Sequence, residues 1–213
     1  DLKTKVVKIK KNYILLKVSS EGELENNKGV HLQNRRIKLN YLTEKDFKAI
    51  EIAKKYKVKN FALSFTNSSE DVKKFGLILK YENKIYKIET KEAVKNIYKI
   101  AKAGGIFLID RGDLSKEVSI EKIPLIQRKI FKIIKKFKNK EIYVATNLLE
   151  SMIYNKYPTR GEANDIYNSL EMGATGLVLA AETAIGKYPQ EAIKFLQKMI
   201  YVYLNEKRHI KQY

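Results

Sequence analysis

Lys87 and Glu89, separated by one isoleucine, open the set of residues that could do chemistry, and Asp113, Thr146 and Glu182 complete it. Each lies at or just beyond the C-terminal end of a stretch that reads as a β-strand. Four apolar residues, Ile106 to Ile109, run straight into the polar turn Asp110-Arg111-Gly112-Asp113, the way a buried strand delivers a carboxylate to a site. Two carboxylates from neighbouring strands, Glu89 and Asp113, are enough protein ligands for Mg²⁺, which keeps water and takes its remaining oxygens from substrate. Lys87 falls on the same face of its strand as Glu89, so an ammonium and a metal flank one anion. That combination suits phosphoryl or enolate chemistry, where charge develops on oxygens and fixed cations stabilise it. Thr146 adds a hydroxyl able to position a water or relay a proton. Taken singly, each residue reads better as part of an ordinary strand ion pair or as a surface acid. Together, at successive strand ends, they read as a site.

The elements that must position these residues alternate along the chain. Strands are expected at Asn60 to Phe65, Lys84 to Glu89, Gly105 to Asp110, Glu141 to Asn147 and Thr175 to Glu182, each followed by a helical pattern. Thr43 with Asp46, and Thr159 with Glu162, are spaced as capping boxes, and Gly173 suits a helix stop after a face of Ala163, Ile166 and Leu170. A last helix is expected to open at Pro189 and to turn Ile193, Leu196, Met199 and Ile200 inward. Repeated strand-then-helix units imply a parallel sheet, doubly wound or closed as a barrel. Polar residues at the ends of several different strands converge on one cavity only in a barrel, which favours the (β/α)8 architecture. No G-x-G-x-x-G follows a strand and no G-x-x-x-x-G-K-[ST] occurs, so the Rossmann and P-loop readings are weak. The first 38 residues differ: Val6 to Ile9 and Tyr13 to Val18 are strand-like, broken by polar turns and without helical period, a small all-β piece. A domain boundary is therefore expected near residue 38, with 39–213 carrying the site.

Composition sets the limits. At 213 residues and 44% hydrophobic content, the chain can bury a substantial core. The absence of cysteine excludes disulfides, thiolate zinc sites and a catalytic cysteine. No run approaches the roughly eighteen apolar residues of a membrane span, and the start of the sequence lacks a signal-peptide pattern, so a soluble, cytoplasmic protein without membrane partners is expected. The formal charge of +19 raises nucleic acid as a partner. Its carriers are mostly lysines spread through nearly every segment, without interleaved stacking aromatics, and read as solvated helix faces. No nucleic-acid partner is expected. His31 and His209, each alone in a basic context, read as surface residues, and Arg160 as part of a structural cap.

Three blocks carry a resemblance. The stretch "YKIETKEAVKNIYKIAKAGGIFLIDRGDLSKE" resembles the Lys-Ile-Glu strand and, at the same spacing, the Ala-Arg-Gly-Asp-Leu-Gly turn of pyruvate kinases. "VATNLLESMIYNKYPTRGEANDI" is similar to that family's Ala-Thr-Gln-Met-Leu-Glu-Ser-Met and Pro-Thr-Arg-Ala-Glu blocks, and "LVLAAETAIGKYPQEAI" to its Leu-Ser-Gly-Glu-Thr-Ala block. The resemblance implies phosphoryl transfer from phosphoenolpyruvate to ADP, giving pyruvate and ATP in glycolysis. It implies that Lys87 stabilises the transferring phosphoryl group and the enolate, and that Glu89 and Asp113 hold Mg²⁺ or Mn²⁺. The backbone amides of Arg111, Gly112 and Asp113 are expected to receive the substrate carboxylate, Thr146 to assist protonation of the enolate carbon, and Glu182 to wall the substrate. "ENNKGVHL" resembles the strand leaving the family's small lid domain.

Departures and gaps qualify these expectations. Asp110 replaces the alanine before Arg-Gly-Asp, Ser115 the glycine after Asp-Leu, and Ala180-Ala181 the Ser-Gly before Glu-Thr. Asp110 either adds charge beside the metal turn or points into the packed layer between strands and helices. The first three strands of the family barrel have no counterpart, nor do the segments that carry its K⁺ ligands, so the barrel is expected to be incomplete in this chain. Five strands leave open edges. The chain is accordingly expected to be one part of a longer or multi-chain protein, completed by missing segments or assembled as a homo-oligomer. A divergent metal-dependent lyase acting on enolpyruvate or 2-oxo acids, a catalytically incomplete relative, and a non-catalytic basic binding module are the alternatives.

Overall fold

Short apolar runs flanked by capping residues fold here into strands separated by one or two helices from residue 43 onward. The computed structural model describes residues 2–210 apart from 25, 27, 28, 31 and 33–39, with the backbone alone at 208–210. Two units separate, residues 1–37 and 38–213. The expected boundary near residue 38 lies outside the described residues, as do His31 and part of "ENNKGVHL".

In the first unit, β1 (Thr4–Ile9) and β2 (Ile14–Val18) pair antiparallel, from Thr4 opposite Val18 to Ile9 opposite Ile14, with a slip of register between Val6 and Lys8. Lys10 N donates to Tyr13 O at 2.9 Å and closes the turn. Both strands are exposed along their length.

The second unit is built around β3 (Asn60–Leu63), β4 (Asn83–Ile88), β5 (Ile106–Asp110), β6 (Glu141–Ala145) and β7 (Gly176–Val178). Among the described residues these five strands form one parallel sheet in sequence order. The connecting helices are α1 (Glu44–Lys55), α2 (Ser69–Ile78), α3 (Lys91–Lys95), α4 (Ile97–Ala103), α5 (Arg111–Glu117), α6 (Ile123–Ile134), α7 (Arg160–Glu171), α8 (Ala181–Ala184) and α9 (Pro189–Ile210). Consecutive, in-order parallel strands with intervening helices are part of an incomplete (β/α)8 barrel.

Register divides the sheet into two faces. Tyr86 lies beside Phe107 and Phe107 beside Ile142, while Ile88, Ile109 and Val144 form the next row; all six are buried against Ile97, Ile100, Ile130 and Ile134 of the helices. Burying a side chain of this size stabilises by roughly 1.5–3 kcal/mol, so this face fixes the register. A one-residue slip would turn every one of these residues out of the core. The opposite face carries Ile85, Lys87, Leu108, Asp110 and Ala145, and its polar members are free to do something other than pack.

Local signals set the helix ends. Thr43, Ser68 and Thr159 each accept from the amide three residues on, and Asp46, Asp71 and Glu162 reach back to the capping residue's own amide. Gly173 takes φ +96° after α7, where an added Cβ would also lie 2.4 Å from Lys135. Two expectations need correction. β7 ends at Val178, and Glu182 sits on α8 rather than at a strand end, because Ala180 leaves extended geometry (φ −125°, ψ −96°) and the chain turns helical at Ala181. On α9 the inward stripe is Ala192, Leu196 and Tyr203 with Met199 and Ile200 partly buried, whereas Ile193 is 44% exposed. Leu196 is four residues from Ala192, and Ala192 takes the inner position that Ile193 was expected to fill.

Candidate active site

Four neighbouring strand ends supply the site. Lys87, the penultimate residue of β4, projects from the face opposite the helices, and Glu89 follows one residue past the strand. Lys87 Nζ lies 2.8 Å from Glu89 Oε2 and 3.0 Å from Asp110 Oδ2. Glu89 is buried, and its Oε1 accepts the Phe65 amide from the turn after β3 at 2.6 Å. That turn is tightly formed: Phe65 takes φ +53°, and Thr66 Oγ1 donates to Leu63 O at 3.0 Å.

Burial alone acts to deprotonate Lys87, but the hydrogen bonds and charges of Glu89 and Asp110 outweigh it and raise the ammonium above its ordinary value. Burial raises Glu89 as well; the hydrogen bonds from Lys87 and Phe65 pull the other way without cancelling it, and the Asp110 charge adds to the rise. Two acids share one ammonium, so the pocket favours additional positive charge.

Asp110 is where the structure decides an open question. It lies two residues beyond Leu108, the neighbour of Lys87 across the ladder, so it shares the Lys87 face and does not enter the packed layer. It also caps α5: Asp113 N donates to Asp110 Oδ1 at 3.3 Å. Asp113 itself pairs with Lys116 at 2.7 Å. Glu89, Asp110 and Asp113 each place one carboxylate oxygen within 4.8 Å of the others. These are hard oxygen donors, close enough to share one divalent cation of the Mg²⁺ or Mn²⁺ type.

Thr146 follows β6 in the left-handed region at φ +68°, and Asn147 follows at φ +54°. A β-branched residue is costly there. The arginine of the neighbouring turn supplies the restraint: Arg111 Nε and Nη2 donate to Thr146 O at 3.0 and 2.6 Å, while Nη1 meets Asp165 of α7 at 2.5 Å. So held, the Thr146 hydroxyl accepts the Gly112 amide at 2.8 Å and lies 2.6 Å from Ala145 O and 3.4 Å from Asp110 Oδ1. Its single proton goes to the nearer acceptor, the Ala145 carbonyl. Glycine at 112 permits this approach, since an added Cβ would come within 3.3 Å of Thr146 Oγ1.

Lys87, Glu89, Asp110, Asp113 and Thr146 are thus brought together. Glu182 is not part of that cluster: its Oε1 accepts the Leu149 amide at 3.1 Å and its Oε2 the Ala180 amide at 2.8 Å. Arg111 turns its side chain to Thr146 and Asp165, and the amides of Gly112 and Asp113 are engaged by Thr146 and Asp110. Of the two directions left open for Asp110, the acid where the resembling motif has alanine, the structure takes the one toward Lys87, whereas the parts played by the Phe65 amide and Asp165 were not foreseen from sequence.

Residues 1–193 match the family model described as pyruvate kinase, barrel domain. The chain belongs to the pyruvate kinase family. It is 40% identical over 182 residues to the pyruvate kinase of Thermotoga maritima, covering 84% of this chain and 39% of that protein. Against the pyruvate kinase of Methanocaldococcus jannaschii, identity is 42% over 202 residues, 93% of this chain and 45% of the relative. The chain therefore spans less than half the length of these pyruvate kinases, and the aligned part includes the strand ends that carry the cluster. No helix among the described residues is long and apolar enough to cross a membrane.

Proposed function

We propose that the protein containing this chain is a pyruvate kinase, transferring a phosphoryl group from phosphoenolpyruvate to ADP. The observation that carries the reading is Lys87, an ammonium held 2.8 and 3.0 Å from two carboxylates at adjacent strand ends, within a family whose members are named for this reaction. In the forward direction the enol O–P bond breaks, a terminal ADP oxygen bonds to phosphorus, and the enolate left behind takes a proton at its methylene carbon to become pyruvate. Lys87 sits where a cation stabilises both the moving phosphoryl oxygens and the enolate oxygen. Glu89 and Asp113 are the ligands assigned to Mg²⁺ or Mn²⁺, which when bound supplies charge neutralisation for the substrate oxygens. The Arg111, Gly112 and Asp113 amides receive the substrate carboxylate, and those of Gly112 and Asp113 must first exchange Thr146 and Asp110 for it. Thr146 serves protonation of the enolate carbon through its hydroxyl. Glu182 shapes the substrate wall indirectly, by fixing the Leu149 and Ala180 backbone. The edges of the sheet at β3 and β7 are completed by further strands or by a second copy, and the protein works in the cytoplasm as a soluble enzyme.

Oxalate, a planar mimic of enolpyruvate, provides the test. Calorimetric titration should show oxalate binding that requires Mg²⁺ and is lost in Asp113→Ala. Oxalate binding indifferent to Mg²⁺ and to that substitution would rule the assignment out.

A further inference from the structure

Asp110 is the residue that the proposed reaction leaves without a task, and it is one of the most connected side chains at the site. Its two oxygens face different parts of the machinery. Oδ2 lies 3.0 Å from Lys87 Nζ, and Oδ1 accepts the Asp113 amide at 3.3 Å with the Thr146 hydroxyl 3.4 Å away. The residue is 8% exposed, so the Lys87 contact is sheltered from the screening that makes surface pairs weak. The other carboxylate at Lys87 is Glu89. If Glu89 and Asp113 held a divalent cation, Asp110 would be the acid left to pair with the Lys87 ammonium. Ladder register makes this placement firm, because Asp110 pairs with Ala145 and cannot leave the Lys87 face without unpairing the end of β5.

We propose that Asp110 is a positioning residue: one oxygen anchors the Lys87 ammonium and the other ties it to the turn that carries Gly112 and Asp113, so that the lysine and the metal-binding acids keep a fixed separation. This rests on the kinase reading. Asp110 acts through Lys87 and touches no substrate.

The experiment uses the intact protein and two substitutions, Asp110→Ala, which removes both contacts, and Asp110→Asn, which keeps an oxygen for the Asp113 amide but removes the charge facing Lys87. Three quantities are read: kcat and KM for phosphoenolpyruvate with ADP, the affinity for Mn²⁺ alone, and the rate at which acetic anhydride acylates Lys87 relative to surface lysines, followed by mass spectrometry. Loss of position without loss of binding should lower kcat by about tenfold or more in Asp110→Ala, with KM and Mn²⁺ affinity moving less than about threefold. Lys87 should be acylated several-fold faster in both variants. Where Asp110→Ala fails to fold, Asp110→Asn carries the same readings. Unchanged kcat with unchanged Lys87 acylation would overturn the proposal, as would a fall in Mn²⁺ affinity parallel to that in kcat, which would make Asp110 a metal ligand instead. Absence of turnover in the unsubstituted protein would overturn the kinase reading, and the acylation ratio would still decide whether Asp110 holds Lys87.

Discussion

Glu89 and Glu182 are both 1% exposed, yet they live in opposite electrostatic worlds. Glu182 gives each oxygen to a backbone amide, Leu149 on one side and Ala180 on the other. Glu89 gives one oxygen to the Phe65 amide and the other to a lysine, and burial holds its carboxyl above the usual range. The first arrangement is self-sufficient, since a buried carboxylate with two donors has its charge distributed over fixed dipoles. The second still favours added cation. Burial of an acid is therefore no guide to its use; the kind of partner it keeps, backbone amides for Glu182 and a lysine for Glu89, is what separates the two.

The comparison breaks or sharpens at three points. Lys87→Met should have the largest effect, lowering kcat by about a hundredfold or more, since a fixed charge aimed at developing oxyanion charge contributes on that order. A coupled assay for pyruvate formation measures it, and near-normal turnover would place the reaction centre elsewhere. Next, Glu182→Ala should strip one buried and one partly buried amide of their acceptor and cost about 2 kcal/mol in urea denaturation, at about 1–3 kcal/mol for each unsatisfied buried group. If it instead halted turnover at unchanged stability, Glu182 would have to be reassigned to the chemistry.

The smallest effect belongs to Glu162. Burial there works against ionisation, but hydrogen bonds from Ser151 and Thr159 outweigh it and hold the carboxyl below its ordinary value. A lowered value in the folded state means that the stability it brings is present above the ordinary glutamate range and is lost as pH falls through the lowered value. Glu162→Gln should therefore cost about 1 kcal/mol near neutrality, a typical worth for a cap, and flatten the acid limb of the stability curve. A variant that loses stability equally at pH 3 and pH 7 would contradict this.

What the sequence made legible follows the range of the forces involved. Capping boxes at Thr43 and Thr159 act over three residues and were readable as spacing. The ends of β5 and β6 were readable because apolar runs stop at polar residues, and β4 as a short stretch mixing lysine with apolar residues; together these placed Lys87, Glu89, Asp113 and Thr146 near strand ends. The direction of Asp110 was not: Ile106 to Ile109 are apolar on both faces, so no alternation betrays which face Asp110 joins until β4 is laid beside β5. Backbone partners leave no mark in a sequence, which hid the Phe65 amide and the true use of Glu182. Ile193 misled because its helical period matched a stripe that the smaller Ala192 occupies.

The strained turn at Thr146 carries a consequence in time as well as in space. Its carbonyl is held by Arg111, 35 residues earlier, and Arg111 in turn by Asp165, 54 residues later. A chain that has paired β5 with β6 but has not yet docked α7 possesses the sheet without a fixed hydroxyl. The full set of contacts that holds the Thr146 turn therefore exists only once α7 is seated beside Arg111, which ties the geometry at the end of β6 to a helix that follows it in the chain.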